Sequence, residues 1–143
     1  MSEHAAKRMK GNGGGNIIFV NSNTAYRVIP DRIAYSASKS GQLGMMRAMA
    51  LDLGKYNIRV NAVLPGMTAT EAVEKHLSDD FRNLFLRHIP LGRMGLPEEI
   101  AEAVCYFASD ASAYTTGQIL TVSGGFGLAT PVYGDMITGK AKR

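Results

Sequence analysis

Tyr35 and Lys39 stand four positions apart in the stretch Tyr35-Ser36-Ala37-Ser38-Lys39, and Ser22 lies thirteen positions upstream of the tyrosine. Positions i and i+4 of an α-helix share a face, so the Lys39 ammonium can sit close to the phenol and favour its ionised form by Coulomb attraction. A phenol held in that way can exchange a proton with a bound oxygen near neutral pH. Such a pair also arises by ordinary surface pairing on helices, and by itself it is weak evidence. The elements that place it, and the motifs around it, decide its meaning.

Those elements read as alternating strands and helices. Residues 1 to 10 end a helix, and Gly11, Gly13, Gly14 and Gly15 terminate it. The short apolar run Asn16-Ile17-Ile18-Phe19-Val20, bounded by glycines, is a buried strand. From about Ile33 to Leu53, Ala37, Leu43, Met46, Ala50 and Leu53 recur at helical intervals, and Gly54 or Asn57 can close the helix. Ile58-Arg59-Val60-Asn61-Ala62-Val63 is a second strand. Strand, helix and strand in that order form a right-handed βαβ unit with parallel strands. Ser22 then leaves the carboxyl end of a parallel strand, where open α/β sheets bind their ligands.

Beyond Pro65-Gly66, which breaks the chain, Val73, Leu77, Phe81, Leu84 and Phe85 make a helical stripe in a segment that can act as a lid. Leu96-Pro97-Glu98-Glu99-Ile100 is a helix start: proline is tolerated in the first turn, and two carboxylates meet the positive end of the dipole. Ile119-Leu120-Thr121-Val122 is a third strand, and Gly124-Gly125 turns the chain. No internal repeat or linker is present. The reading is one α/β domain: residues 1–66 the βαβ unit, 67–90 the lid, 91–126 a helix and strand, and 127–143 a tail.

Composition excludes several classes. The 143 residues are 45% apolar and 20% charged, as in an ordinary soluble domain. No apolar run reaches the roughly 18 residues of a membrane span, and no leader pattern opens the chain, so a soluble, cytoplasmic protein is expected. The net charge of +4 resides in Lys7, Arg8, Lys10, Lys140, Lys142 and Arg143 at the two ends. Without a central basic stripe, no nucleic-acid partner is expected. The single cysteine, Cys105, falls among Ile100, Val104 and Phe107 and reads as a packed core thiol. His4, His76 and His88 lack metal-ligand spacing, and no metal is expected. Gly11 to Gly15 precede a strand, whereas phosphate-cradling glycines follow one.

Further motifs stand in order around the pair. Asn-Ile-Arg-Val-Asn-Ala-Val-Leu-Pro-Gly occupies 57 to 66, and Pro-Leu-Gly-Arg-Met-Gly-Leu-Pro-Glu-Glu-Ile-Ala occupies 90 to 101. Thr116-Gly117-Gln118 and Ser123-Gly124-Gly125 follow. Over about residues 1 to 126 this order and spacing resembles the C-terminal half of the short-chain dehydrogenase/reductase family, NAD(P)-dependent oxidoreductases with a Rossmann-like, doubly wound parallel sheet.

The resemblance implies roles. Tyr35 is the general acid in carbonyl reduction, or base in alcohol oxidation; Lys39 lowers its pKa and holds the nicotinamide ribose; Ser22 orients the substrate oxygen. Pro65, Gly66, Thr68 and Thr70 fall at the nicotinamide end of NAD or NADP, with Thr70 in place of the usual carboxamide-binding hydroxyl. The bland readings are a loop cap for Ser22 and an N-cap of the lid helix for Thr70. Thr68 replaces a usual apolar residue, and Ser123 replaces a frequent aspartate in the turn.

The family's Gly-rich turn, its NAD- or NADP-selecting residue and a relay asparagine are not located here, so cofactor binding and turnover by these residues alone are not expected. The first strand is then expected to carry an open apolar edge at Ile17, Ile18, Phe19 and Val20, to be covered by a missing N-terminal half or by association, since relatives commonly form homo-oligomers. A small alcohol or carbonyl compound is the implied substrate. The competing reading is a non-catalytic assembly module derived from the family.

Overall fold

The computed structural model describes residues 2–129, 133–137 and 139. The basic residues Lys140, Lys142 and Arg143, and Thr130-Pro131 of the tail, lie outside them. In chain order the elements are α1 (Ser2–Gly11), β1 (Gly15–Val20), α2 (Ile33–Leu53), β2 (Ile58–Pro65), α3 (Glu71–His76), α4 (Asp79–Leu86), α5 (Pro97–Ala108), β3 (Ile119–Val122) and α6 (Gly134–Ile137). The strands form one parallel sheet in the order β1-β2-β3. Its register runs from Gly15 opposite Ile58 to Val20 opposite Val63, and from Ala62 opposite Ile119 to Pro65 opposite Val122.

β2 is the middle strand of the sheet and is packed on both of its faces. Ile58, Val60, Ala62 and Leu64 meet Leu43, Met46, Ala50 and Leu53 of α2 and Ala6 of α1. Val63 points to the other face and packs with Ala103 and Phe107 of α5. Full burial of one such large apolar side chain stabilises by about 1.5–3 kcal/mol, so this strand anchors both helical layers. The result is an α/β sheet covered on both faces, as the alternation of elements predicts.

The local details follow from particular residues. α2 is carried on buried apolar residues spaced three and four apart (Leu43, Met46, Ala50, Leu53), and it ends through a short 3-10 turn at Gly54–Tyr56 that Asn57 closes in the left-handed region, φ 57°. β2 runs two residues beyond the expected end at Val63. Pro65 can continue the strand because its missing N–H falls on the side of β1, which has already ended, while Gly66 N still donates to the Val122 carbonyl at 2.9 Å. Asn61 is buried, and both ends of its amide are engaged: its Nδ2 donates to Thr115 O at 2.8 Å and its Oδ1 accepts from Gln118 N at 3.0 Å. That pair fixes the turn that delivers β3.

Three expectations need amendment. β1, expected as a buried strand, is only half-buried along Gly15–Phe19 and exposed at Val20 because it is the edge of the sheet. Cys105 is exposed and free, not a core thiol. On α5 the positions 100, 103, 104 and 107 form the sheet-facing stripe, and residue 105 lies roughly 100–160° around the helix from them. The lid stripe is also broken: Leu77 is extended and Ser78 caps a second helix by accepting from Phe81 N, so the segment holds two short helices.

Arg59 is a structural residue that the sequence did not single out. Its guanidinium donates to Phe107 O (2.8 Å), Ser109 O (3.0 Å) and Ser112 Oγ (2.7 Å), closing the C-terminal end of α5 with a positive charge. Arg59→Leu is expected to lower unfolding free energy by about 1.5–3 kcal/mol, the range for hydrogen bonds made by a charged group. Urea unfolding measures this. A change within experimental error would show that the α5 terminus does not depend on the guanidinium.

Candidate active site

β1 ends at Val20, and Asn21 and Ser22 lead into a 3-10 turn at Asn23–Ala25. Ser22 is its N-cap: Oγ accepts from Thr24 N at 3.2 Å and donates to Thr24 Oγ1 at 3.1 Å. The capping bond uses a lone pair, and the single hydroxyl proton remains exchangeable between Thr24 Oγ1 and any other acceptor. Capping and orienting a substrate oxygen are therefore compatible tasks for the same side chain.

Tyr35 and Lys39 lie on one face near the start of α2, with Lys39 Nζ 5.6 Å from the centre of the tyrosine ring. Tyr35 is 42% exposed. Neither the phenol hydroxyl nor the ammonium hydrogen-bonds another described residue, so both are available to a ligand. The 3-10 turn packs on α2 through Asn21 Nδ2 to Lys39 O (3.0 Å) and Ser40 Oγ to Ala25 O (2.9 Å). Ser22 is thus held beside the helical turn that bears Lys39.

The second group sits at the end of the neighbouring strand. Pro65 closes β2, and Gly66 abuts Ser123: a Cβ on Gly66 would stand 2.7 Å from Ser123 Cβ and 2.8 Å from its Cα. Only glycine fits there, which is a packing reason independent of any ligand. Thr68 Oγ1 donates to Gly66 O at 3.2 Å. Thr70 is the N-cap of α3, accepting from Val73 N at 3.3 Å, and it is exposed. Its hydroxyl proton is left to donate outward. Among the described residues no hydrogen bond joins 65–70 to Ser22, Tyr35 or Lys39. The two groups share the carboxyl end of the sheet through the ladder bond from Asn21 N to Val63 O, 2.9 Å.

The segment 67–90, the expected lid, is an excursion pinned at both ends. Thr68 and Gly95 bridge, Ala69 N donates to Gly95 O at 2.8 Å, and Leu91 N donates to Gly124 O at 3.2 Å. The Phe85 ring stacks on Phe126 at 4.4 Å, tying α4 to the segment after β3. That segment turns by Phe126 N donating to Ser123 O, so Ser123 in place of aspartate leaves the turn closed by its backbone. A cleft of about 770 Å³ opens between Asn23, Tyr26 and Arg27 on one side and residues 121–128 on the other. It starts one residue past Ser22 and is not lined by Tyr35 or Lys39.

Just beyond that segment Glu99 holds α5 to the preceding loop. Its carboxylate receives both Arg93 guanidinium nitrogens, at 2.6 and 2.8 Å, and the Leu96 N–H at 2.8 Å. The Arg93 hydrogen bond, then that from Leu96, lowers the Glu99 pKa to about 2. A depressed carboxyl pKa contributes stability above its unfolded value, near 4.5, and that contribution is lost as pH falls towards 2. Glu99→Gln is expected to be less stable than the parent at pH 6, with the gap closing between pH 4.5 and 2 and narrowing in high salt. Unfolding curves across that range test it; a gap unchanged at pH 2 would contradict the ion pair as its source.

Fold and site together are a parallel α/β sheet with Ser22 just past the end of β1 and Tyr35 and Lys39 on helix α2 beside it. A family profile described as enoyl-(acyl carrier protein) reductase matches residues 1–127. The chain belongs to the short-chain dehydrogenase/reductase family. It is 49% identical over 133 residues to a 7alpha-hydroxysteroid dehydrogenase of Clostridium sardiniense, covering 92% of this chain and 50% of that protein. A solved 7 alpha-hydroxysteroid dehydrogenase in complex with NADH and 7-oxo glycochenodeoxycholic acid superposes with TM-score 0.84 at 38% identity, covering 87% of this chain and 49% of that one. A gluconate 5-dehydrogenase from Burkholderia cenocepacia, in complex with NADP and tartrate, gives TM-score 0.85 at 29% identity over 90% and 51%. The chain spans about half the length of the relatives it matches.

Proposed function

We propose that these residues are the proton-exchanging, substrate-orienting half of an NAD(P)-dependent alcohol dehydrogenase or carbonyl reductase. The observation that carries the reading is the unengaged Tyr35 phenol with the Lys39 ammonium 5.6 Å from its ring, on the helix that also anchors the Ser22 turn. Tyr35 gives a proton to the substrate oxygen in reduction and takes it in oxidation. Ser22 donates to the same oxygen and fixes its direction, which matters because effective reaction needs near-attack geometry.

The residues present fit the nicotinamide end of a dinucleotide. An ammonium with three unspent donors suits a ribose diol, and the outward hydroxyl proton of Thr70 suits a carboxamide oxygen. Bound there, the nicotinamide supplies or accepts the hydride. Pro65, Gly66 and Thr68 shape the wall behind it, with Gly66 held by its contact with Ser123. Substrate enters under the lid, residues 67–90, and its body extends into the cleft between Arg27 and 121–128.

Among the described residues the far edge of β1 has no partner strand, and Val20 is 56% exposed. In the working protein that edge is covered, either by further sheet of the same polypeptide carrying the adenosine and pyrophosphate contacts, or by another copy. An exposed unpaired thiol at Cys105 suits a reducing, cytoplasmic setting. The test is the full-length polypeptide offered alcohols and ketones, steroidal and sugar acids among them, with each nicotinamide cofactor. Substrate-dependent change in nicotinamide absorbance is expected with one of the two, and none with any pair would refute the reading.

A further inference from the structure

We infer that Asn21 is a positioning residue that sets the spacing between Ser22 and the helical turn carrying Lys39; the inference rests on the active-site reading above. Asn21 follows the apolar strand Ile17-Ile18-Phe19-Val20 and is 6% exposed. A carboxamide at such a place costs stability unless its atoms are bonded. Here they are: Oδ1 accepts from Ser22 N at 2.6 Å, and Nδ2 donates to Lys39 O at 3.0 Å and to Gln42 Oε1 at 3.1 Å. Both donors are spent and the oxygen is engaged.

The placement of these bonds is specific. Asn21 N is fixed to the sheet by its bond to Val63 O, so the side chain has a rigid base. From there one planar group reaches forward to the backbone of Ser22 and sideways to the backbone of Lys39. Lys39 O lies inside α2, where helical geometry already gives carbonyls a donor four residues on. The Asn21 bond is therefore additional to what the helix needs, and it falls on the residue whose ammonium faces Tyr35. A serine or alanine at 21 is too short to span the two attachments.

The consequence is a division of labour that a purely structural asparagine would not show. Loss of the clamp lets Ser22 and the Lys39 turn shift relative to one another, and a misplacement of about 1 Å in a reacting group can cost on the order of a hundredfold in rate. In the full-length polypeptide Asn21→Ala is expected to lower kcat by about tenfold to a hundredfold while KM changes less than about threefold. Gln42→Met removes only the third bond and is expected to keep the parent kcat. Amide exchange of Ser22, followed without cofactor or substrate, is expected to quicken at least about tenfold in Asn21→Ala while the Met46 amide is unchanged.

If Asn21→Ala does not fold, Asn21→Asp serves: it keeps the acceptor for Ser22 N and loses both donations, and kcat at least about tenfold lower is expected. Parent kcat in a folded Asn21 variant, a loss confined to KM, or unchanged Ser22 exchange in Asn21→Ala would each overturn the inference. Tyr35→Phe is assayed alongside. If it retains turnover, the active-site reading itself fails; if it is inactive and the Asn21 variants match the parent, only the positioning role of Asn21 fails.

Discussion

Tyr35→Phe in the full-length polypeptide is expected to lower kcat by about two to four orders of magnitude, the range that a positioned proton donor contributes. The ring stays and only the hydroxyl goes. Because the ring is 42% exposed and the hydroxyl bonds no described residue, stability should change by less than about 0.5 kcal/mol. The separation is the useful part. Activity assayed beside urea unfolding should show an inactive enzyme of ordinary stability, whereas undiminished turnover would remove Tyr35 from the chemistry.

The second large effect is expected in the core beneath the site. Met46 has no exposed surface and packs α2 onto Ile58, Val60 and Leu64 of β2. Met46→Ala should cost about 2–5 kcal/mol, the sum of lost transfer energy and the cavity left behind. Typical domains hold only about 5–15 kcal/mol in total, so the midpoint of thermal unfolding should fall sharply. A loss under about 1 kcal/mol would mean that α2 rests on other contacts. Since α2 carries Tyr35 and Lys39, the same substitution at temperatures below the midpoint should leave KM and kcat near the parent values, separating seating from chemistry.

Much of this architecture was legible because its signals are local. Glycines flanking Ile17 to Val20, helical spacing from Leu43 to Leu53 and the apolar run at 58 to 63 each encode one element without help from the rest of the chain. The pairing of Tyr35 with Lys39 is equally local, since i and i+4 meet on any helix. What escaped was set by tertiary contact. Cys105 sits among apolar neighbours in sequence, but a one-residue rotation on α5 puts it on the outer surface. The lid stripe reads as continuous, and only Ser78, a good N-cap in the middle of it, signals the break.

The polar anchors were the hardest to see. Arg59 and Asn61 are conspicuous only as polar residues in an otherwise apolar strand, and their partners lie about fifty positions downstream. Asn21 stands next to Ser22 and is polar at the end of an apolar strand, which was a usable sign. Its partners on α2, at 39 and 42, needed the fold to be found. Ser22 and Thr70 illustrate a further limit: each is both a helix or turn cap and a candidate ligand contact, and sequence reading sets these against one another, although one hydroxyl can serve both.

The most direct measurement is a crystal structure of the full-length polypeptide with nicotinamide cofactor and an alcohol product bound. The Tyr35 hydroxyl and Ser22 Oγ are expected within about 3.2 Å of the same product oxygen, with Lys39 Nζ on the ribose hydroxyls. A product oxygen bound elsewhere, with Ser22 still donating to Thr24 and Lys39 turned from the cofactor, would contradict the account.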